Sequence, residues 1–171
     1  IYAGAQKNAG PSGVTILIIN KKVSRQFTGR SDVPKIMRYE TQAKKDSMYN
    51  TPNTFGIWVV GMVADWVQSL GGLEAMALRN QRKADLLYGT LDGLDAYEAV
   101  AELSARSHMN VTFKMATVDA EKAVLEEAER RGIVGIRGHR SVGGLRASIY
   151  NAVEYSDVEA LCQLLTDMQR S

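Results

Sequence analysis

The 171-residue sequence has one cysteine, Cys162, three prolines and two histidines, and only 7% of it is aromatic. A single cysteine excludes an intrachain disulfide framework and fits a reducing compartment. Long apolar runs are lacking too. The stretch "FGIWVVGMVADWV" is interrupted by Asp65 and is too short to span a bilayer, so no membrane partner is expected. No signal peptide is visible. The net charge of +2 is too small to point to nucleic acid. An initiator methionine is missing and the first residues read as if in mid-strand, so we expect the C-terminal part of a longer protein. What is present, 45% hydrophobic and 23% charged residues, is the composition of a globular protein.

Residues 14–19, "VTILII", form a β-branched apolar run, the pattern of a strand covered on both faces. Residues 20–47 are polar and irregular and read as loop with short strand pieces. Thr54 is placed to cap a helix running to about Leu70, apolar around most of its circumference and therefore expected to be buried. Gly71 and Gly72 end it and mark a domain boundary. A helix over residues 73–91 follows, with Leu73, Met76, Ala77, Ala84, Leu87 and Leu91 on its apolar stripe and Arg79, Arg82 and Lys83 off it. Beyond it, "MNVTFKM" alternates as a strand, "DAEKAVLEEAERRG" is a helix closed by Gly132, and "GIVGI" and "LRASIYNAV" read as strands. The last helix opens with a capping box at Ser156 and Glu159, and its stripe of Val158, Leu161, Cys162, Leu165 and Met168 makes Cys162 a small core hydrophobe. Strands alternating with helices predict an α/β layer structure.

Three stretches can carry chemistry. In "AGAQKN", Lys7 sits among small residues, amides and glycines, either as an ordinary loop lysine or as an amine held where it reacts. "SMYNTPNTF" is turn chemistry, with Thr51 held extended by Pro52. Residues 130–146 hold five arginines and His139 with no acidic residue, a local excess suited to phosphate or carboxylate. Taken singly, a surface lysine, a loop and a solvated basic face explain each of them. Pyridoxal phosphate chemistry needs all three together: a lysine amine, donors for a phosphate, and an arginine for a substrate carboxylate.

The segments "GAQKN", "NTP-TF" and "GHR-VGG-RAS-YNA", with "RSHMNV" between the second and third, resemble those of the phosphoserine aminotransferase family, a class V branch of the aspartate-aminotransferase-like fold. The resemblance covers almost the whole chain in the right order. It implies an α/β pyridoxal-phosphate-dependent transferase of fold type I. Residues 1–70 would be the end of the large cofactor-binding domain, and 71–171 the small C-terminal α/β domain. The implied reaction moves an amino group between glutamate and 3-phosphohydroxypyruvate, with phosphoserine and 2-oxoglutarate as the other pair, in serine biosynthesis. Bacterial relatives also act on a phosphorylated intermediate of vitamin B6 synthesis. A cytoplasmic homodimer with its active site at the subunit interface is implied as well.

By the same resemblance Lys7 would hold the cofactor as a Schiff base and shuttle the substrate Cα proton, a task that favours a desolvated amine near cations. Gln6 would contact the cofactor. Asn50 and Thr51 would bind the phosphate of the cofactor held in the opposite subunit. His139 and Arg140 would bind the substrate's own phosphate, and Arg146 its α-carboxylate. No metal is expected. Two positions depart from the family pattern: Asn53 stands for a second proline, and His108 for Arg or Lys. The family's ring-stacking aromatic residue and the aspartate at the pyridine nitrogen lie upstream of the cofactor lysine, outside this chain. The competing expectation is a non-catalytic dimerisation or regulatory module derived from the same family.

Overall fold

The computed structural model describes residues 1–24, 32–141 and 143–170, in two compact units, Ile1–Trp66 and Val67–Ser171. Parts of two sequence readings, residues 25–31 of the polar stretch and Val142 of the basic run, lie outside the described residues.

In the first unit β1 (Tyr2–Gly4) pairs antiparallel with β2 (Thr15–Leu17), Ala3 opposite Ile16. Then come α1 (Lys21–Ser24), a 3₁₀ turn at Lys35–Met37, α2 (Tyr39–Lys44) and α3 (Thr54–Ser69), whose last three residues fall in the second unit. The polar stretch therefore folds, where described, as short helices rather than strand pieces. Its alternation is too weak to hold a ladder, and Arg38 Nε and Gln42 Nε2 instead donate back to the carbonyls of Val33 and Ile36.

Within this chain alone β2 and α3 do not find the cover their apolar pattern calls for. Ile16 and Ile18 are exposed, as are Phe55, Ile57, Trp58 and Met62 on α3. Among the described residues of this unit only Ala5 and Gly56 are buried. An apolar pattern specifies what a segment would bury, and the two-stranded ribbon is too small to cover it. The cap of α3 also shifts by one residue. Asn53 Oδ1 accepts from the Gly56 N–H at 3.0 Å, while Thr54 Oγ1 donates to the Pro52 carbonyl. The asparagine that departs from the family pattern is thus the helix cap.

The second unit runs α4 (Gly72–Asp92), β3 (Tyr97–Ala99), β4 (Asn110–Met115), α5 (Val118–Arg130), β5 (Leu145–Ser148) and α6 (Tyr155–Arg170). Its sheet has the order β3-β4-β5, antiparallel throughout, with Thr112 opposite Arg146 and Asn110 opposite Ser148. Helices α4 and α5 pack on β4, and α6 packs on both helices. Alternation along β4 and β5 sends Val111, Phe113, Leu145 and Ala147 into the core beside Leu87, Leu91, Val124, Leu164 and Leu165. Each large core side chain contributes about 1.5–3 kcal/mol by leaving water. The opposite face of the sheet is polar, carrying Asn110, Thr112, Lys114, Arg146 and Ser148. Cys162 lies in the core as expected, and burial pushes its thiol upward in pKa.

Several boundaries move. "GIVGI" is not a strand: Gly132 and Gly135 both take positive φ, which interrupts any ladder, and only Arg137 forms a bridge, to Leu145. "LRASIYNAV" leaves the sheet after Ser148, because Val153 N–H turns back to the Tyr150 carbonyl. Helix α6 begins at Tyr155, ahead of the expected cap at Ser156. Asp157 Oδ2 accepts from the Glu154 N–H at 3.0 Å and fills the acidic half of the box two residues earlier than Glu159 would.

Candidate active-site loops

In the first unit Ala5, 1% exposed, anchors the lysine loop. Its N–H donates to the Val14 carbonyl (2.9 Å), and its own carbonyl accepts from Ala9 N–H (3.1 Å). Gln6 bridges to Gly10 across the loop. Lys7 at its apex has φ 83°, the left-handed region that a side-chain-bearing residue occupies at a cost of about 1–3 kcal/mol and that clusters at functional sites. Gly10 lets the loop press on α3, since a Cβ there would lie 2.7 Å from Val60 Cγ2. Gln6 and Lys7 are both exposed, so the described residues of this unit do not supply the desolvation expected around the amine. Asn50 and Thr51 are exposed on the turn that leads through Pro52 into the Asn53 cap, available to a group outside this unit.

In the second unit the arginines of residues 130–146 divide into two groups. Arg130 and Arg131 pair with Glu127, and Arg131 also with Asp167. Arg137, Arg140 and Arg146 make no ion pair with a described carboxylate, and with His139, Gly135 and Gly138 they line one open cleft of about 690 Å³. The Nε of Arg146 is buried without a hydrogen-bond partner, the kind of orphan that costs about 1–3 kcal/mol until an acceptor arrives.

The backbone holds these side chains in place. Arg146 N–H donates to the Ile136 carbonyl (2.8 Å), Gly138 N–H to the Gly144 carbonyl (2.9 Å) and Gly143 N–H to the His139 carbonyl (2.8 Å). A Cβ at Gly138 would fall 2.1 Å from the Gly143 carbonyl oxygen, so this close approach requires glycine. His139 Nδ1 accepts from Ser141 N–H (3.3 Å) and lies 2.8 Å from Ser141 Oγ. That arrangement leaves Nε2 to carry the proton of the neutral ring and to donate outward.

The chain thus brings Gln6 together with Lys7, Asn50 with Thr51, and His139 with Arg140 and Arg146. Sequence reasoning misplaced one charged residue. Lys83, set off the apolar stripe of α4, is 2% exposed. Its Nζ donates to the carbonyls of Ile149 (3.2 Å), Tyr150 (2.7 Å) and Val153 (2.9 Å), pinning the turn that follows the Arg146 strand. Burial, and next the Arg79 guanidinium, pull its pKa below the ordinary lysine value; Glu154 and Asp157 oppose them. Beside it Asn80 Nδ2 donates to Asn151 Oδ1 at 2.8 Å. The signal was present, because positions 76, 80, 83, 87 and 91 share one helical face.

The "RSHMNV" segment is a brace. Arg106 forms a bidentate pair with Asp92 (2.6 Å on both arms) and lies 4.5 Å over the Tyr88 ring. Ser107 Oγ accepts from the Met109 and Asn110 N–H groups, and Asn110 Oδ1 accepts from Ser148 Oγ and Tyr150 OH. The departing residue His108 is exposed and takes no part in these contacts.

Comparison with known proteins follows the same residues. The aminotransferase class-V family model matches residues 1–161. The phosphoserine aminotransferase of Halalkalibacterium halodurans is 49% identical over 96% of this chain and 45% of its own length. Among solved structures, the phosphoserine aminotransferase of Bacillus circulans subsp. alkalophilus superposes with TM-score 0.93 at 45% identity, over 99% of this chain and 46% of that one. The pyridoxal-phosphate-bound phosphoserine aminotransferase of Trichomonas vaginalis superposes with TM-score 0.91 at 34% identity, over 96% and 47%. The chain spans about half the length of the curated relatives it matches.

Proposed function

Since the chain belongs to the class-V aminotransferase family, we propose that it supplies the lysine and the anion-binding arms of a phosphoserine:2-oxoglutarate aminotransferase. The activity belongs to a protein of its relatives' full length, in which residues 1–70 complete the large domain and 71–171 form the small one. The observation that carries the substrate assignment is the cleft of Arg137, His139, Arg140 and Arg146, with no described ion pair and with one buried donor unsatisfied, next to arginines that are paired.

The residues present fit pyridoxal phosphate: a primary amine on a loop fixed in an unusual backbone conformation, with an amide at Gln6 beside it. When bound, the cofactor supplies the electron sink that makes the substrate Cα–H acidic. Lys7 would hold it covalently, and the same amine is placed to carry a proton to and from the substrate Cα. Arg146 grips the α-carboxylate, which every amino donor and keto acid of the reaction shares. Its strand register fixes that grip, so the Cα–H is presented in one orientation. His139 and Arg140 take the distal group, the phosphate of phosphoserine or the γ-carboxylate of glutamate. Asn50 and Thr51, exposed on their turn, meet the cofactor phosphate of a partner subunit in a homodimer. The lone buried cysteine accords with a cytoplasmic setting, and serine biosynthesis is the route such a reaction serves.

Borohydride reduction of the full-length holoenzyme followed by peptide mapping tests the anchor. The expected outcome is a pyridoxyl group on Lys7, absent after Lys7→Ala along with transaminase turnover. Label on another lysine would overturn the assignment. A holoenzyme that takes no label yet still dimerises would favour the non-catalytic module.

A further inference from the structure

Arg146 stands on a sheet face whose other side chains have no part in the reading above. Its N–H turns away from β4 to the Ile136 carbonyl, and the carbonyl of Thr112, its partner across the ladder, turns away to the Val100 N–H. Thr112 and Arg146 are therefore a close, non-hydrogen-bonded pair, with Cα atoms about 4.5 Å apart and side chains on the same face. Two residues along, Asn110 and Ser148 form the next pair of this kind. The stem of Arg146 thus leaves the sheet with Thr112 across from it and Ser148 beside it.

Asn110 is where two supports of that face meet. Its Oδ1 accepts from Ser148 Oγ (3.2 Å) and from Tyr150 OH (2.9 Å), so one amide fixes the side chain next to Arg146 and the ring just beyond the strand. Its own N–H donates to Ser107 Oγ (3.1 Å), and the Ser107 carbonyl accepts from Tyr88 OH on α4 (3.2 Å). From an earlier turn of α4, Lys83 Nζ donates to the Tyr150 carbonyl (2.7 Å). The contacts form a closed circuit, from α4 through Ser107 to Asn110, on to Tyr150 and back to α4. Cutting it at Asn110 releases the Ser148 hydroxyl and the Tyr150 ring and leaves the core intact, because Asn110 is not one of the core side chains.

We propose that Asn110 is a positioning residue for the substrate α-carboxylate: through Ser148 and Tyr150 it fixes the surroundings of Arg146, so that the guanidinium meets the carboxylate in one orientation. The Nε of Arg146 is buried, so the inner edge of the guanidinium is enclosed and responds to how its neighbours are held. The inference rests on the proposed function for what Arg146 grips, and on the contacts alone for the ordering of Arg146.

The test uses the full-length holoenzyme with Asn110→Ala, with Ser148→Ala and Tyr150→Phe combined, with all of these together, and with the exposed His108→Ala as a control from the same segment. The readouts are kcat and KM for phosphoserine and for glutamate, binding of inorganic phosphate by titration calorimetry, and the Nε–H NMR signal of Arg146 in protein carrying isotope-labelled arginine, assigned by its loss in Arg146→Lys. Asn110→Ala should raise KM for both donors by about 5- to 30-fold, the scale of two neutral hydrogen bonds, with kcat per folded site falling about threefold or less. Phosphate binding should stay as in wild type, and the Nε–H signal should shift or broaden. The Ser148→Ala, Tyr150→Phe variant should reproduce these effects, and adding Asn110→Ala to it should cost nothing further. His108→Ala should leave every readout at its wild-type value. An unchanged Nε–H signal in Asn110→Ala would overturn the role, as would an unchanged KM in a protein where Arg146→Ala raises it. Phosphate binding weakened as much as the donors, or a lower kcat that only follows the unfolded fraction, would overturn it too. If Arg146→Ala spares both donors while the Nε–H signal still depends on Asn110, the carboxylate assignment fails and the ordering of Arg146 by Asn110 stands.

Discussion

Within this chain the two units differ in how much of a core they close. The second closes a core of its own, with Leu87, Phe113, Val124 and Leu164 fully buried between a three-stranded sheet and three helices. The first buries only Ala5 and Gly56 among its described residues and leaves Phe55, Ile57 and Trp58 exposed on α3. Chemistry is divided in the same way. Lys7 is held by a local backbone device, a left-handed residue on a hydrogen-bonded loop. Arg146 and its neighbours are held by a whole packed domain.

The contrast is broken most sharply at Arg146, because that variant removes an arm and leaves the core intact. Arg146→Ala in the full-length holoenzyme should lower kcat/KM for phosphoserine and for glutamate alike, by on the order of 2–5 kcal/mol in transition-state stabilisation. Arg140→Ala should penalise phosphoserine more than glutamate. If Arg146→Ala spares either donor, the α-carboxylate assignment is wrong. The thermal midpoint should move little in both variants, since neither side chain belongs to the core.

A second test removes the scaffold beneath the arms. Lys83→Met removes the ammonium donor from the Ile149, Tyr150 and Val153 carbonyls and should destabilise the second unit by about 2–5 kcal/mol, read from denaturant unfolding. Loss of activity in this variant should track the unfolded fraction. A folded Lys83→Met protein of unchanged stability would show that α4 does not need the lysine to hold the turn after β5.

The smallest effect is expected in the first unit. Asn53→Ala removes the side-chain cap of α3 and should cost about 1 kcal/mol. Asn53→Asp keeps the acceptor and should cost less. The ratio of this effect to that of Lys83→Met measures how unevenly stability is shared, and equal effects would erase the comparison drawn above.

Much of this was legible in the sequence, for physical reasons that differ by element. The helices of the second unit were, because Leu87, Leu91, Val124, Leu161 and Leu165 repeat with helical period and Gly132 marks the end of α5, whereas its Thr117 cap emerged only in the structure. The site residues were visible through motif resemblance, since no periodicity singles out Lys7 or His139. What failed was whatever depends on other parts of the chain. The apolar residues of α3 announced burial that their own unit does not provide. Lys83 was read from its charge rather than its helical position, and three carbonyls made its burial possible. "GIVGI" was read from composition, while two glycines of positive φ decided its path. Arg137 belonged to a visible cluster, but nothing local separates an arginine that lines a cleft from Arg130 or Arg131, which are ion-paired.

Gly138 sets a rule for anyone who would redesign the substrate range. A side chain at Gly138 would run into the Gly143 carbonyl, so position 138 accepts no Cβ on this backbone. Within this segment, selectivity is better varied through the side chains at 139 and 140 than at 138.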